Sequence, residues 1–433
     1  MALSRRDFLA TSAAAASVLG MTGCGSGSGS GDEVKFLVDN NPQGVANAEA
    51  LVKAFNASRS DGPTFSVDSR PGGTEGDNLV KTRLGTQDMP DVFLYNSGSL
   101  FQAIRPAQFL TDLSEEPWVD SIVESFLPGV TVDGAVYGAP IGAAGGGGIM
   151  YHKPIYERLG LEVPLTWDEF IKNCQAIKTE GKAAPVIQSY GETSTSQIIM
   201  LADFHNVAAA TPDFADKYTA HEIGFADDPA ALRGFEKTEQ IVVDGLVNED
   251  YVSTTYQQGV EYVATGEGAH YPCLSGSLAE IVATYPDQVD DVGYFALPGD
   301  DAATNGLTVW LPSGLYIPTY AENTDAAKAF LAFAVSAEGL DALNSLAPPT
   351  GPSMVKGIPL PEDVPAAVQD LQIYFDEEGR TTPALEFSSP IKGPNLENIL
   401  IELGTGAIDA KTAAERYDQD VEKQAQQLGL EGW

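Results

Sequence analysis

Apolar positions along the chain alternate between two rhythms. Val34-Lys35-Phe36-Leu37-Val38 is a short run of strand formers that ends in the polar stretch Asp39-Asn40-Asn41-Pro42-Gln43-Gly44. Ala46, Ala50, Leu51, Ala54 and Phe55 then recur at helical spacing. A second strand is expected at Phe65-Ser66-Val67-Asp68, broken by Arg70-Pro71-Gly72-Gly73-Thr74-Glu75-Gly76. A helix carrying Leu79, Val80 and Leu84 follows, then a third strand, Asp91-Val92-Phe93-Leu94-Tyr95, ending in Asn96-Ser97-Gly98-Ser99. Strand, helix, strand, helix, strand predicts an α/β fold with a mostly parallel sheet. Ligands of such sheets bind outside the carboxyl ends of the strands, which here are three loops rich in Asn, Gln, Ser and Gly.

The second half repeats the rhythm less regularly. Gly145-Gly146-Gly147-Gly148 precedes Ile149-Met150-Tyr151. Glycine lets backbone approach a neighbour closely, so the run reads as a domain crossover that presents backbone to a ligand, or as a plain flexible loop. No Gly-Lys-Ser/Thr follows, so it is no phosphate loop. Thr166 and Glu169 form a capping box for a helix through Phe170, Ile171, Cys174 and Ile177, with Trp167 packing at its start. A strand is expected at Pro185–Gln188 and another over 266–277 with a Ser/Gly end, followed by a helix from Leu278; apolar 292–299 then leads into 308–318, and an alanine-rich helix is expected at 324–335.

Composition narrows the picture. The 61 Asp and Glu residues outnumber 24 Lys and Arg, for a net charge of −37. A surface this negative repels nucleic acid and anionic lipid, and suits solubility or a salt-rich habitat. Four histidines show no metal spacing. Cys174 and Cys273 read as two buried thiols, with a disulfide between them, which an exported compartment would allow, as the alternative; no cofactor is implied. About 400 residues after Asp32 are more than one core usually holds, so two domains are expected.

The leader points outward. Ser4-Arg5-Arg6-Asp7-Phe8-Leu9 resembles a twin-arginine export signal. The apolar stretch behind it is shorter than the roughly 20 residues that span a bilayer. Met21-Thr22-Gly23-Cys24 resembles a lipobox, in which Cys24 is lipidated, and the segment up to residue 31 is a Gly/Ser linker. The expected division is a signal peptide at 1–23 and a lipidated cysteine with linker at 24–32.

Five stretches in this order resemble the extracellular solute-binding proteins of carbohydrate importers of the ATP-binding-cassette type, the maltose-binding group among them. They are Met89-Pro90-Asp91-Val92-Phe93 with Leu110-Thr111-Asp112-Leu113; Val136-Tyr137-Gly138-Ala139-Pro140 with 151–161; Pro164-Leu165-Thr166-Trp167-Asp168-Glu169-Phe170; 266–269 with 293–299; and 325–333. The resemblance implies a two-lobed periplasmic-binding-protein type II fold whose hinge the chain crosses three times, near Pro140, Gly299 and Ala347. One lobe is then 33–140 plus 300–346, the other 141–299 plus 347–433. It implies a monomer, not an enzyme, that closes over a sugar or oligosaccharide and docks on a membrane permease while its lipid holds it to the outer face of the cytoplasmic membrane.

The expected contacts are Asn40, Asn41 and Gln43 in the first strand-end loop, Gly73, Thr74 and Glu75 in the second, and Tyr95, Asn96 and Ser97 in the third. Gly145, Tyr190, Glu192, Ser275, Trp310 and Asn395 complete the set, with Lys392 beside the last. Tyr95 stands just after the third strand, where relatives often have an aromatic that stacks on sugar, and Trp310 would replace, from the other lobe, the tryptophan of the Gly-x-Trp that relatives often carry where this chain has Ser275-Gly276-Ser277. For Tyr95 the alternative is core packing, for the asparagines turn chemistry, and for Glu75 a helix cap. Other cargoes on the same scaffold are a polyamine, a polyol phosphate or a peptide. A surface glycoside hydrolase with two carboxylates is the enzyme alternative.

Overall fold

The computed structural model describes residues 33–346, 349–362, 364–430 and 432–433. The leader, Cys24 and the expected crossing at Ala347 lie outside the described residues. The first lobe is built on a five-stranded sheet in the order Thr64–Arg70, Glu33–Asp39, Val92–Tyr95, Gly314–Tyr316, Gly138–Pro140. Its first three strands run parallel, as the strand–helix alternation predicts; Gly314–Tyr316 is antiparallel to them, and Gly138–Pro140, antiparallel to Gly314–Tyr316, returns to their direction. Helix Pro42–Ala57 brings Phe55 against Phe65 and Phe330, with ring centroids 5.0 and 5.1 Å apart. Phe330 comes from the alanine-rich helix Thr324–Ala334, so that late segment completes the first core.

The second lobe holds a six-stranded sheet centred on Gly145–His152. That strand pairs with Gly268–Leu274 on one side, and with Val292–Ala296 and Leu307–Trp310 along the other. The glycine run is therefore the first half of a central strand, and Gly146, Gly147 and Gly148 are buried. A side chain has no room there. A Cβ on Gly147 would lie 2.3 Å from Trp310 Cζ3, and one on Gly148 would lie 2.4 Å from the Phe295 carbonyl oxygen. Helices Pro229–Val243, Leu396–Gly404 and Ala410–Leu428 enclose a separate cluster around Phe214, Phe225, Phe235, Leu400 and Tyr417.

Gly138–Pro140 belongs to the first sheet and Gly145–His152 to the second, so the chain first passes between the lobes at 141–144. The second passage corrects the expectation near Gly299. Gly299 is tied into the second lobe, its carbonyl accepting from Trp167 N at 2.7 Å. Leu307–Trp310 still belongs to the second sheet and Gly314–Tyr316 to the first, so the passage is at 311–313. Residues 352–356 stay with the first lobe, where Val123 N donates to Met354 O and Lys356 N to Ser121 O. Helix Ala366–Phe375 lies on the second sheet, with Tyr294 N donating to Asp370 Oδ2. The last passage therefore falls between Lys356 and Ala366, and neither 300–310 nor 349–356 sits in the lobe the sequence suggested. The helix at Trp167–Glu180 has its capping box, and Cys174 and Cys273 are buried free thiols.

Candidate functional site

A cleft of 590 Å³ opens between the lobes above the crossing segments. The first turns of helix Pro42–Ala57 supply Gly44, Asn47 and Ala48, and the third strand supplies Leu94. The opposite wall is Ala279, Val282 and Ala283, on helix Leu278–Thr284. Ile141, Gly142, Ala143 and Ser313 form the floor, and Asn344 and Thr350 reach in from the first lobe's late segments. The lining is apolar with a few half-buried amides and hydroxyls, and no described residue lining it is ionisable. Such a wall suits a solute with apolar C–H faces and hydroxyls, since a few placed polar groups orient a ligand within an apolar pocket.

The expected contacts divide sharply. Asn40, Asn41, Gly73, Glu75 and Asn96 are exposed on strand-end loops or first helical turns of the first lobe. Asn41 performs turn chemistry: its Oδ1 accepts from Gly44 N at 3.2 Å, at the start of helix Pro42–Ala57. Gln43 and Thr74 lie in the first turns of their helices. Glu75 occupies the first turn of Gly73–Thr86, where its charge favours the helix N-terminus.

Tyr95 corrects the expectation of a stacking platform. It is 1% exposed, beneath the Arg70 guanidinium at 5.7 Å and beside Asp77, so it offers no free face. Ser97 is buried and donates to Pro312 O at 2.9 Å, which ties the third loop to the second crossing. Ser275 is also buried, its Oγ accepting from Gly146 N. Tyr190 packs against Tyr251 and the backbone at Gly404. Ser97 and Ser275 thus spend their hydroxyls on backbone groups, and the rings of Tyr95 and Tyr190 are packed inside the protein.

Gly145 is half-buried and pairs with Trp310. Trp310 is half-buried too, and faces a small apolar cavity with Met200, Phe204, Phe225, Leu385 and Ile391. Lys392, at that cavity, pairs with Glu386 at 3.4 Å. Glu192 and Asn395 are exposed elsewhere on the second lobe, Asn395 accepting from Asn398 Nδ2.

The sequence reading missed Asn47, Ser313, Asn344 and Thr350. One signal was available for Asn47, which lies three residues after Gly44 and so on the helix face that meets the loop. Among the described residues, no group of three or more His, Cys, Asp or Glu is placed to hold a metal ion. No described helix is long and apolar enough to cross a membrane. His270 is enclosed by Tyr156, Phe170 and Cys174, and burial pushes its pKa down to about 4, so it is a neutral core group.

Residues 40–340 match the family model described as bacterial extracellular solute-binding protein. A multiple sugar-binding protein of Streptococcus mutans is 26% identical over 239 residues, 53% of this chain and 54% of its own length. The chain thus spans about half the length of that relative. The melibiose/raffinose/stachyose-binding protein MelE of Bacillus subtilis is 26% identical over 341 residues, 75% of this chain and 76% of its own. The solved apo form of RafE from Streptococcus pneumoniae superimposes with a TM-score of 0.75 at 17% identity, covering 90% of this chain and 97% of that one. The fold is that of the two-lobed solute-binding proteins.

Proposed function

Because the chain belongs to the family of bacterial extracellular solute-binding proteins, we propose that it captures a neutral oligosaccharide between its lobes and hands it to the permease of an ATP-binding-cassette importer. It does so as an exported monomer, held to the outer face of the membrane by a lipid on Cys24. The observation that carries this reading is the interlobe cleft, walled by both lobes and lined without charge. Its volume falls within the range of small-molecule sites, about 300–1,000 Å³. A polyamine would call for carboxylates in the lining and a polyol phosphate for Arg or Lys. A glycoside hydrolase would call for two carboxylates flanking the bond. The lining favours none of these, and the acidic excess sits elsewhere. The relatives named for sugars support the same cargo class. Export and the anchor are supported by Arg5-Arg6 and by Met21-Thr22-Gly23-Cys24.

A thermal-shift panel on residues from Asp32 onward tests the reading. A neutral di- or trisaccharide at 100 times its dissociation constant stabilises by about 2.7 kcal/mol, a shift of several degrees. Spermidine, glycerol phosphate and amino acids are expected to give none. Asn47→Ala should weaken saccharide binding about tenfold, by loss of one hydrogen bond to the ligand. A shift with spermidine or glycerol phosphate alone would overturn the cargo.

A further inference from the structure

Helix Leu385–Ser388 belongs to the second lobe by its neighbours. The strand before it, Thr381–Pro383, pairs with Leu307–Trp310, and Leu385 packs against the second lobe's helical cluster. Its Phe387 nevertheless packs against the cluster that runs through the first lobe. The contact centres on Gly98, where a Cβ would lie 2.7 Å from Phe387 Cδ1, 2.8 Å from its Cα and 3.3 Å from Glu386 O. Gly98 has a φ of +72° and donates its N–H to Gly129 O at 2.7 Å. Gly129 in turn lies against Leu311 of the second crossing, as Ser97 does against Pro312. Gly98 thus clears the space in which one lobe's ring meets the other lobe's strand-end loop, and Gly129 clears the space behind that loop for Leu311.

We infer that Phe387 is a positioning residue that holds the two lobes close by pressing on the Gly98 loop. Lobes joined by thin crossings move against each other unless a packed contact restrains them. This contact is a packed link between the lobes beside the second crossing, additional to the chain itself, so it restrains the swing of one lobe against the other. It acts on the loop carrying Asn96 and Ser97, and Leu385 and Glu386 of the same short helix line the cavity under Trp310. A change at that cavity is therefore passed to the first lobe through one turn of helix. Removing the ring lowers the population of the closed arrangement, and apparent affinity falls by the same factor.

Small-angle scattering on the ligand-free protein tests this directly. Phe387→Ala should increase the radius of gyration over wild type, while Phe387→Leu, which keeps the bulk, stays near it. Circular dichroism and a cooperative melt establish that both variants are folded. If Phe387→Ala does not fold, scattering from Phe387→Val carries the test, with an expansion between those of the other two. Identical scattering for a folded ring-deleted variant and wild type overturns the inference. The second arm rests on the proposed saccharide: its affinity for Phe387→Ala should fall about tenfold, and saturating ligand should restore the wild-type radius. The scattering arm needs no ligand, so a failed cargo reading and a failed restraint are told apart.

Discussion

The two lobes bury charge in opposite ways. In the second lobe Lys237 and Asp203 are each 1% exposed and bonded to one another. Lys237 Nζ also donates to Pro298 O at 2.8 Å and sits 5.4 Å from the centre of the Trp167 ring. In the first lobe Arg70 is 5% exposed, and its guanidinium donates to the carbonyls of Pro71 and Leu94 over the Tyr95 ring. The first arrangement is compensated and remote from the cleft lining, so it serves the scaffold. The second ties two strand-end loops together beside the cleft, so it serves position. The difference suggests that damage to the two sites will be felt in different measurements.

The largest effect is expected at the compensated pair. Lys237→Met leaves the Asp203 carboxylate buried without its cation, which costs about 3–5 kcal/mol in comparable sites. Burial already pushes the Asp203 carboxyl up and Lys237 pulls it back, so the variant's acid rises further. A raised carboxyl binds its proton more tightly folded than unfolded, so the deficit should shrink as the pH is lowered through that raised value. Urea unfolding across pH checks both points. Lys237→Met with Asp203→Leu should recover much of the loss, because replacing a whole buried pair is far milder than breaking it. Ligand affinity of the folded protein should stay at the wild-type level. A ligand-binding defect in the single variant would contradict the assignment of this pair to the scaffold.

Arg70→Met should do the reverse, with a smaller stability cost of about 1–2 kcal/mol from two lost charge-assisted hydrogen bonds. The ties from strand Thr64–Arg70 to Pro71 and Leu94 go with it, so the loops at 71–75 and 95–98 lose their register. Saccharide affinity should fall several-fold while the melt remains cooperative, as calorimetric titration would show. Equal affinity for variant and wild type would erase the distinction between a scaffold charge and a positioning charge.

The same contrast explains what the sequence disclosed. Strand–helix alternation over 33–95 was legible because apolar side chains repeat there with two clean periods, and the first sheet follows it. In the second lobe the central strand begins with four residues that carry no side chain, so periodicity was silent and the run read as a loop or crossover. Pro298-Gly299 looked like a linker because proline and glycine break elements, yet Lys237 and Trp167 fasten it from distant positions. Tyr95 stood at a strand end and so looked available. Only the fold brings Arg70, from another strand, over its ring. The cleft's Asn344 and Thr350 come from chain far from any strand end, where local pattern has nothing to mark them.

Glycine gives the smallest effect and the last separation of the lobes. At Gly147 and Gly148 the second sheet has no space for a methyl group, whereas Gly85 on helix Gly73–Thr86 is exposed, with nothing within 4 Å of an added Cβ. Its backbone is not in the positive-φ region, unlike Gln87 two residues on at φ 58°. Ala is favoured over Gly in a helix by roughly 0.5–1 kcal/mol, mostly through the unfolded chain. Gly85→Ala should therefore raise stability by about 0.5 kcal/mol, near the low end because the site is close to the helix terminus. Chemical denaturation with a shared slope resolves that difference as a shift in midpoint. A loss of stability would mean that this turn of the first lobe is packed against something its exposed surface does not reveal.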